Sequence, residues 1–194
     1  MLTQLSTLKT RLGLEIFDTT DDVILTNILK HVSARFAADC NRIFDYGAFL
    51  AYEFPADEIH LSVDHPPIEL VSEFALKTTE AEGWIVQPDV DYLLSPKKSI
   101  VALAERLGTS RQLGRVIYTG GYVLPGATPT INQIALPDEI EQACIDQAAY
   151  WYLRRSQLGL LSLSNDAGII QQFQSSDLLP AVAAVLRHYE RWIA

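Results

Sequence analysis

The spacing of the apolar residues changes twice along this chain, and that change restricts the fold more than any other feature. In the first part, apolar residues recur at every fourth position, a spacing typical of a helix: Ile24, Ile28, Val32, Phe36 and Cys40. From about residue 49 to residue 122 the period falls to two, as in strands, and from residue 137 it becomes helical again. The predicted order is therefore helix, helix, strands, helix, helix.

Two helices are predicted before the strands. The first runs from about Leu2 to Leu12 and ends at Gly13, which can adopt the left-handed conformation of a helix C-cap. The second begins after the segment 18–22, whose Asp and Thr side chains can cap it, and reaches about Ile43. The same segment lacks the alternating ligands and the central glycine of a calcium loop, which favours the capping role.

The middle of the chain is predicted to form strands. Residues 59–64 alternate between apolar and polar side chains, the pattern of a half-buried strand. Further strands are predicted from about Ile68 and at 83–86, 91–94, 99–103 and 115–119, with Pro and Gly between them. The predicted fold class is mainly α with a small β-element (α+β), in which helices at both ends flank a short-stranded antiparallel β-region.

Two more helices are predicted after the strands. Pro137 and the acids that follow it are typical of a helix start, and the apolar stripe of this helix consists of Ile140, Cys144, Ala148 and Trp151. The last helix is predicted from about residue 177 to Trp192. Because no linker divides the chain, 1–194 is predicted to be a single domain, with 160–194 as a C-terminal arm and helix.

The charge of the chain argues against nucleic-acid binding as its main activity. The net charge is −9, and between Asp45 and Asp91 eleven acids accompany a single base, Lys77. Affinity for nucleic acid comes mostly from Lys and Arg side chains that neutralise phosphates, and an acidic protein supplies few of them. The sequence also lacks a run of about 18 apolar residues and the apolar core of a signal peptide, which predicts a protein that is cytosolic where it is made.

No motif in the sequence indicates catalysis. A phosphate-binding glycine loop and the nucleophile motif Gly-x-Ser-x-Gly are absent, and Cys40 and Cys144 lie on predicted helix stripes as buried side chains. His60, Asp64 and His65 are the best metal candidates, but His65 points away from the other two if the strand continues. We therefore predict no catalytic, cofactor-binding or metal-binding residue, and no enzyme activity.

Several segments in a fixed order resemble the phage head–tail connector (adaptor, or head-completion) family. They are DDVILTNILKHVSARFAADCNRIF, PPIELVSEFAL, DVDYLLSP and LLPAVAAVLRHYERW, together with RVIYTGGYVLPG (115–126) followed by LPDEIEQACIDQAAYWYLRR (136–155). In that family a strand ending in Tyr, a small residue, Gly and Tyr precedes an amphipathic helix introduced by Leu-Pro or Val-Pro. The loop 126–135 is longer than the family pattern leads us to expect.

The resemblance implies a structural virion protein at the head–tail junction, assembled in the host cytoplasm. It implies a homo-oligomeric ring, usually twelve-fold, bound to the portal protein above and to a tail-completion or stopper protein below. DNA would pass through this ring without specific binding, and no membrane or cofactor would be involved. Two other interpretations stay open: a small metal-dependent enzyme or regulator with a site in the β-region, and a DNA-packaging accessory factor.

Two surfaces are predicted for such a ring subunit. Apolar and aromatic residues end the chain, and Tyr189, Trp192 and Ile193 are predicted to contact a partner, the alternative being that they pack within the chain near Trp151. A second set is predicted to line the channel, where negative charge would repel DNA at short range: Glu53, Asp57, Glu58, Asp64, Glu69 and Glu73. The alternative is that these acids keep the outer surface soluble or pair with basic residues of a neighbouring subunit.

Overall fold

The computed structural model describes residues 1–157, 162–164, 170–172 and 178–191. The chain divides into two compact units. The helical unit comprises Met1–Asp39 and Pro137–Tyr189, and the β-unit comprises Cys40–Leu136 and Glu190–Ala194. Within the described residues, no helix is both long enough and apolar enough to span a bilayer.

The helical unit contains α1 (Leu5–Leu12), α2 (Asp22–Asp39), α3 (Asp138–Leu153) and α4 (Pro180–Arg187), and α3 contacts each of the other three. It also contains the two-stranded antiparallel pair β10 (Ser162–Ser164) and β11 (Ile170–Gln172). As predicted, α1 ends at Gly13, which has a φ of 68° and donates its N–H to the carbonyl of Thr10 at 3.1 Å. This conformation costs glycine little because it has no Cβ.

The buried stripe of α2 is only partly the predicted one. Val32 and Phe36 are fully buried as expected, but Leu25 and Leu29 are buried beside them, and Ile24 is 43% exposed. The reason is geometric. A step of four residues overshoots one helical turn of about 3.6 residues, so a strict four-residue repeat winds around the helix and cannot stay on one face.

The predicted stripe of α3 is largely confirmed. Ile140, Cys144 and Ala148 are buried, while Trp151 is half-buried and contacts His31 edge-on, with ring centroids 5.0 Å apart. In α4 Val182 and Leu186 are buried as expected, although this helix ends at Arg187, before the predicted end. The sequence also predicts that Gly159 closes α3; this residue lies outside the described residues, as do Trp192 and Ile193.

The β-unit contains two antiparallel sheets. Four strands form one sheet in the order β1 (Gly47–Pro55), β7 (Leu113–Gly120), β3 (Ile68–Lys77) and β4 (Ile85–Gln87). Three form the other in the order β2 (His60–Ser62), β6 (Ile100–Leu103) and β5 (Tyr92–Leu94). β8 (Tyr122–Val123) and β9 (Ile134–Ala135) form a short parallel pair, and β9 lies within 126–135, which the sequence suggested to be a loop.

The two sheets enclose one apolar core. Residues of both sheets and of the segments that join them belong to a single buried cluster: Phe54, Leu61, Val63, Ile68, Val71, Phe74, Val101, Leu103, Val116 and Tyr118. Burial of this kind is the main favourable term in folding, which makes the β-unit a two-layer sandwich with its own core. Burial also raises the pKa of Tyr118 to about 12, and its hydroxyl accepts the N–H of His65 at 3.1 Å.

The predicted fold class, mainly α with a small β-element, is wrong. The strands contain about as many residues as the helices, and the fold is α+β with a substantial sheet. Irregularities hide the long strands from a two-residue pattern, because β3 shifts register between Val71 and Glu73, and β1 does so between Gly47 and Leu50. Phe49, inside the β1 irregularity, has a φ of 54°.

Candidate interaction surfaces

A buried ammonium group fixes the loop between α1 and α2. Lys9 is only 3% exposed, and its Nζ donates to the carbonyls of Ile16 at 3.1 Å and Asp18 at 2.6 Å. The same Nζ forms an ion pair with the carboxylate of Asp22, in the first turn of α2. A buried charge must be compensated, and these three acceptors match the three donors of an ammonium group.

Asp18 stabilises the same loop from its other side. Its carboxylate accepts the backbone N–H of Thr20 at 2.9 Å and the hydroxyl of Thr20 at 2.6 Å. These hydrogen bonds hold the pKa of Asp18 below its ordinary value. The capping role that the sequence predicted for segment 18–22 therefore takes the form of a side-chain turn just before α2.

The loop held by Lys9 carries an exposed aromatic side chain. Phe17 is 94% exposed, and Ile16 and Val23 beside it are also exposed. Isolated exposed apolar residues are ordinary, but apolar side chains grouped on an ordered loop form a candidate contact surface. Phe17 could not be recognised from the sequence, because a lone Phe between two helices carries no periodic signal.

Three of the six acids predicted to line a channel have partners within the β-unit. The carboxylate of Asp64 forms an ion pair with Arg191, and that of Glu73 lies 3.5 Å from the guanidinium of Arg115. Glu69 accepts the hydroxyl hydrogen of Tyr46 at 2.8 Å. The charge of Asp64 and Glu73 is therefore partly neutralised by bases that lie far away in the sequence.

Among the described residues, no Lys or Arg forms an ion pair with the other three acids, and His60 is the one base whose charge acts on Glu58. Glu53 is exposed on β1, and Asp57 and Glu58 are half-buried in the turn that follows β1. Partial burial, and then the neighbouring charge of Asp57, raise the pKa of Glu58 above its ordinary value. Two of these three acids, Asp57 and Glu58, therefore lie side by side in one turn.

A cation–aromatic cluster lies beside Glu73. The guanidinium of Arg115 is 4.6 Å from the ring centroid of Trp84, and Nζ of Lys77 is 5.7 Å from it. Lys77 also pairs with Glu80 at 2.7 Å. This cluster was not predictable from the sequence, because its members come from three separate segments and only strand pairing brings them together.

Arg191 anchors the end of the chain to the β-unit. Its backbone N–H donates to the carbonyl of Cys40 at 2.9 Å, and its guanidinium donates to the carbonyl of Ser62 at 3.0 Å as well as binding Asp64. Tyr189, two residues earlier, is half-buried and donates its hydroxyl hydrogen to Glu139 at the start of α3. Of the predicted partner surface, Tyr189 is therefore described, while Trp192 and Ile193 lie outside the described residues.

The predicted metal candidates do not converge. Asp64 is engaged by Arg191, and Nδ1 of His65 lies 2.9 Å from the carbonyl oxygen of Asp45. In the described part of the chain, no group of three or more His, Cys, Asp or Glu side chains is placed to hold a metal ion. Cys40 and Cys144 are buried as predicted, and burial raises the pKa of the Cys144 thiol to about 12, so this thiol is not an activated nucleophile.

Comparison with known proteins gives one kind of match. No family model matches the sequence, and no curated protein matches it. Among solved structures, the neck of an empty GTA particle computed with C6 symmetry contains a chain with a TM-score of 0.58 at 13% identity, covering 100% of this chain and 91% of that chain. The virion of a native gene transfer agent (GTA) particle gives a TM-score of 0.57 at 14% identity, with the same coverage.

A third structure, the neck of a native GTA particle computed with C12 symmetry, gives a TM-score of 0.52 at 14% identity and covers 88% of this chain and 84% of that chain. At such identities the likeness is one of fold. In the first two structures it extends over the whole chain, so this chain shares the fold of a chain found in those particles.

Proposed function

We propose that this chain is a structural subunit of a particle neck. It assembles into a ring that joins the portal of the head to the tail and leaves a channel for DNA, and it has no catalytic role. The observation that carries the proposal is the fold match to chains of particle necks, over 100% of this chain for the neck computed with C6 symmetry and over 88% for the one computed with C12 symmetry.

A ring of identical subunits requires a heterologous contact, in which one face of a subunit meets a different face of the next. The chain offers several unlike surfaces for this purpose. The exposed loop at Phe17 is apolar, the turn at Asp57 and Glu58 is acidic, and Lys97 and Lys98 form an exposed basic turn. Such variety supports contacts with a neighbouring copy and with a protein above or below the ring.

The partners proposed for the ring are the portal protein and a tail-completion or stopper protein, with the C-terminal residues Tyr189, Trp192 and Ile193 contacting one of them. Deleting the chain after Arg187 would test this poorly, because the deletion also removes Arg191 and leaves Asp64 without its ion pair. The double substitution Trp192→Ser and Ile193→Ser keeps Arg191 in place. We expect it to leave a folded ring that no longer binds the portal, and binding equal to that of the wild type would contradict this surface.

A channel role is proposed for acids on the long strands of the β-unit, Glu53, Glu69 and Glu73. Only charges within about 8 Å of DNA act on it at physiological salt, so the acids must lie close to the bore. Glu53→Lys with Glu69→Lys leaves Glu73 to pair with Arg115. We expect rings of this variant to assemble and to retain DNA in a salt-dependent manner, whereas assembled rings that bind no DNA and eject it normally would remove these acids from the channel.

Electron microscopy of the purified protein, alone and mixed with its portal, tests the central proposal. We expect closed rings, and a ring seated on the portal in the mixture. A chain that stays monomeric at high concentration both alone and with the portal would contradict the proposed function. The proposed function would also be contradicted if the protein showed catalytic turnover that a single substitution in the β-unit abolished.

A further inference from the structure

Two turns of opposite charge lie at opposite ends of the β-unit. The turn 95–99 joins β5 to β6 and carries Lys97 and Lys98, and the turn 56–59 joins β1 to β2 and carries Asp57 and Glu58. The carbonyl of Lys98 accepts the N–H of Ile68 at 2.7 Å, which places the basic turn at the start of β3. The N–H of Ala56 donates to Gln112 at 3.0 Å, which places the acidic turn at the start of β7, beside the end of β3.

The two turns are too far apart to pair within one chain. β7 is eight residues long and runs from the acidic turn, at Leu113, to the basic turn, at Gly120. At roughly 3.3 Å per residue, the strand separates the two ends by about 25 Å. An ion pair needs its nitrogen and oxygen within about 4 Å, so any pairing between these turns joins two copies of the chain.

The basic turn is held in a fixed conformation, and its charges are free among the described residues. The hydroxyl of Ser95 accepts the N–H groups of Ser99 and Ile100, both at 3.1 Å, and the N–H of Lys98 donates to the carbonyl of Ser95 at 2.7 Å. Both lysine side chains are exposed. The turn therefore presents two ammonium groups from a backbone that is already ordered.

The acidic turn is equally well fixed. The N–H of Glu58 donates to the carbonyl of Pro55 at 2.9 Å, and the N–H of Gly108 donates to the carbonyl of Ala56 at 2.9 Å. Asp57 and Glu58 are half-buried, and within the described part of the chain no Lys or Arg forms an ion pair with either of them, although the charge of His60 acts on Glu58. Two adjacent carboxylates held in this way repel each other, and a cation brought from outside would relieve the repulsion.

We propose that the Lys97–Lys98 turn of one subunit binds the Asp57–Glu58 turn of the next subunit in the ring. This inference rests on the proposed ring function and names its subunit contact. Unlike patches at opposite ends of one unit are what a heterologous contact requires, because each copy then uses one end to bind the copy before it and the other to bind the copy after it. The opposite charges fix which end meets which.

Charge reversal tests the pairing in full-length protein. Lys97→Glu with Lys98→Glu forms the first variant, Asp57→Lys with Glu58→Lys the second, and the combination of all four the third. We expect each of the first two to raise the concentration needed for half-assembly by at least about tenfold, and the third to restore assembly to near the wild-type level. The matched control is Glu82→Lys with Glu105→Lys, which changes the net charge as the second variant does at exposed acids of neighbouring loops.

A disulfide test gives a second measurement. Copies carrying only Lys97→Cys are mixed with copies carrying only Glu58→Cys, and the native Cys40 and Cys144 do not interfere because they are buried. Under oxidation, disulfide-linked dimers are expected in the mixture and in neither protein alone.

The outcomes separate the contact from the function. If the wild type forms no ring, with or without portal, the proposed function itself fails. If rings form and every reversal variant assembles as the wild type does, the contact is wrong while the ring stands. Variants that fail singly and still fail in combination overturn the pairing, and a control that fails equally shows that net charge alone governs assembly.

Discussion

In the helical unit and in the β-unit, a cation binds main-chain carbonyls and a carboxylate and so holds a chain segment in place, but the two cations, buried Lys9 and partly buried Arg191, do so over very different sequence distances. Lys9 binds carbonyls that lie 7 and 9 residues away, within the loop between α1 and α2. Arg191 binds a carbonyl 129 residues away and a carboxylate 127 residues away. The contacts of Lys9 order one loop, whereas those of Arg191 anchor the end of the chain to the sandwich.

This difference indicates how substitutions should destabilise each unit. In the helical unit, the buried contacts that the sequence predicts are made by apolar side chains on one face of each helix. In the β-unit, β7 lies between β1 and β3, strands that precede it by dozens of residues, so no segment of it is stable alone. Substitutions in the two units should therefore differ in how far their effects spread.

The largest effect is expected at the α2 stripe. Leu25→Ala removes a fully buried side chain and should lower the free energy of unfolding by about 3 kcal/mol, whereas Ile24→Ala, next to it and 43% exposed, should lower it by less than about 1 kcal/mol. Urea denaturation measures both. A larger loss for Ile24→Ala than for Leu25→Ala would show that the strict four-residue stripe, and not the observed one, faces the core.

Lys9→Ala should follow closely. It leaves the Asp22 carboxylate and two carbonyls without their donor, which should cost about 2 to 3 kcal/mol and release the loop that carries Phe17. Hydrogen exchange would report the release as faster exchange confined to residues 13–22. Arg11→Ala is the control, since its ion pair with Asp146 is exposed and should contribute less than about 1 kcal/mol. Exchange that accelerates throughout the β-unit would refute the local role of Lys9.

Arg191→Ala tests the long-range contacts that hold the end of the chain. Loss of the contacts to Ser62 and Asp64 should lower the free energy of unfolding by about 1 to 2 kcal/mol, with faster exchange around 60–65. Arg187→Ala, at an exposed position on α4, should have almost no effect. If Arg191→Ala leaves exchange at 60–65 unchanged, the chain end does not anchor the sandwich.

The smallest effect is expected at Glu58. Burial and the charge of Asp57 raise its pKa in the folded chain, so the folded state holds this proton more tightly than the unfolded state does. The ionised carboxylate of Glu58 therefore destabilises the folded chain above its folded pKa, and this destabilisation disappears as the pH falls through that pKa. Glu58→Gln should slightly stabilise the monomer near neutral pH and remove the gain in stability that the wild type shows as the pH falls through the raised pKa of Glu58, while weakening the ring. A variant monomer less stable than the wild type at pH 7 would contradict the assignment.

The sequence was most informative where structure is local. The C-cap at Gly13, the start of α3 after Pro137 and the burial of Ile140, Cys144 and Ala148 follow from short-range spacing, and all were predicted correctly. Strand 100–103 was also anticipated, as was the end of β7 at Gly120 and Gly121, where a Cβ on Gly121 would lie 2.3 Å from the carbonyl oxygen of Asp45.

The acids of the β-unit show what the sequence could not provide. Read along the chain, Glu53 to Glu73 form a run without a base, and all six look alike. In the fold, Arg115 reaches Glu73 and Arg191 reaches Asp64, while Asp57 and Glu58 keep their charge at one end of the sandwich. Their roles were not separable beforehand, because each partner lies between 42 and 127 residues away.

What the sequence determined by itself was therefore the order of the elements, the C-cap of α1, the start of α3 and the excess of acid, which follow from short-range spacing and composition. Only the tertiary structure decided that the strands form two packed sheets, which acids are neutralised, and that a basic turn and an acidic turn lie at opposite ends of one unit. The physical reason is that backbone periodicity is encoded by adjacent residues, whereas strand pairing and ion pairing depend on distances in space that the folded chain alone sets.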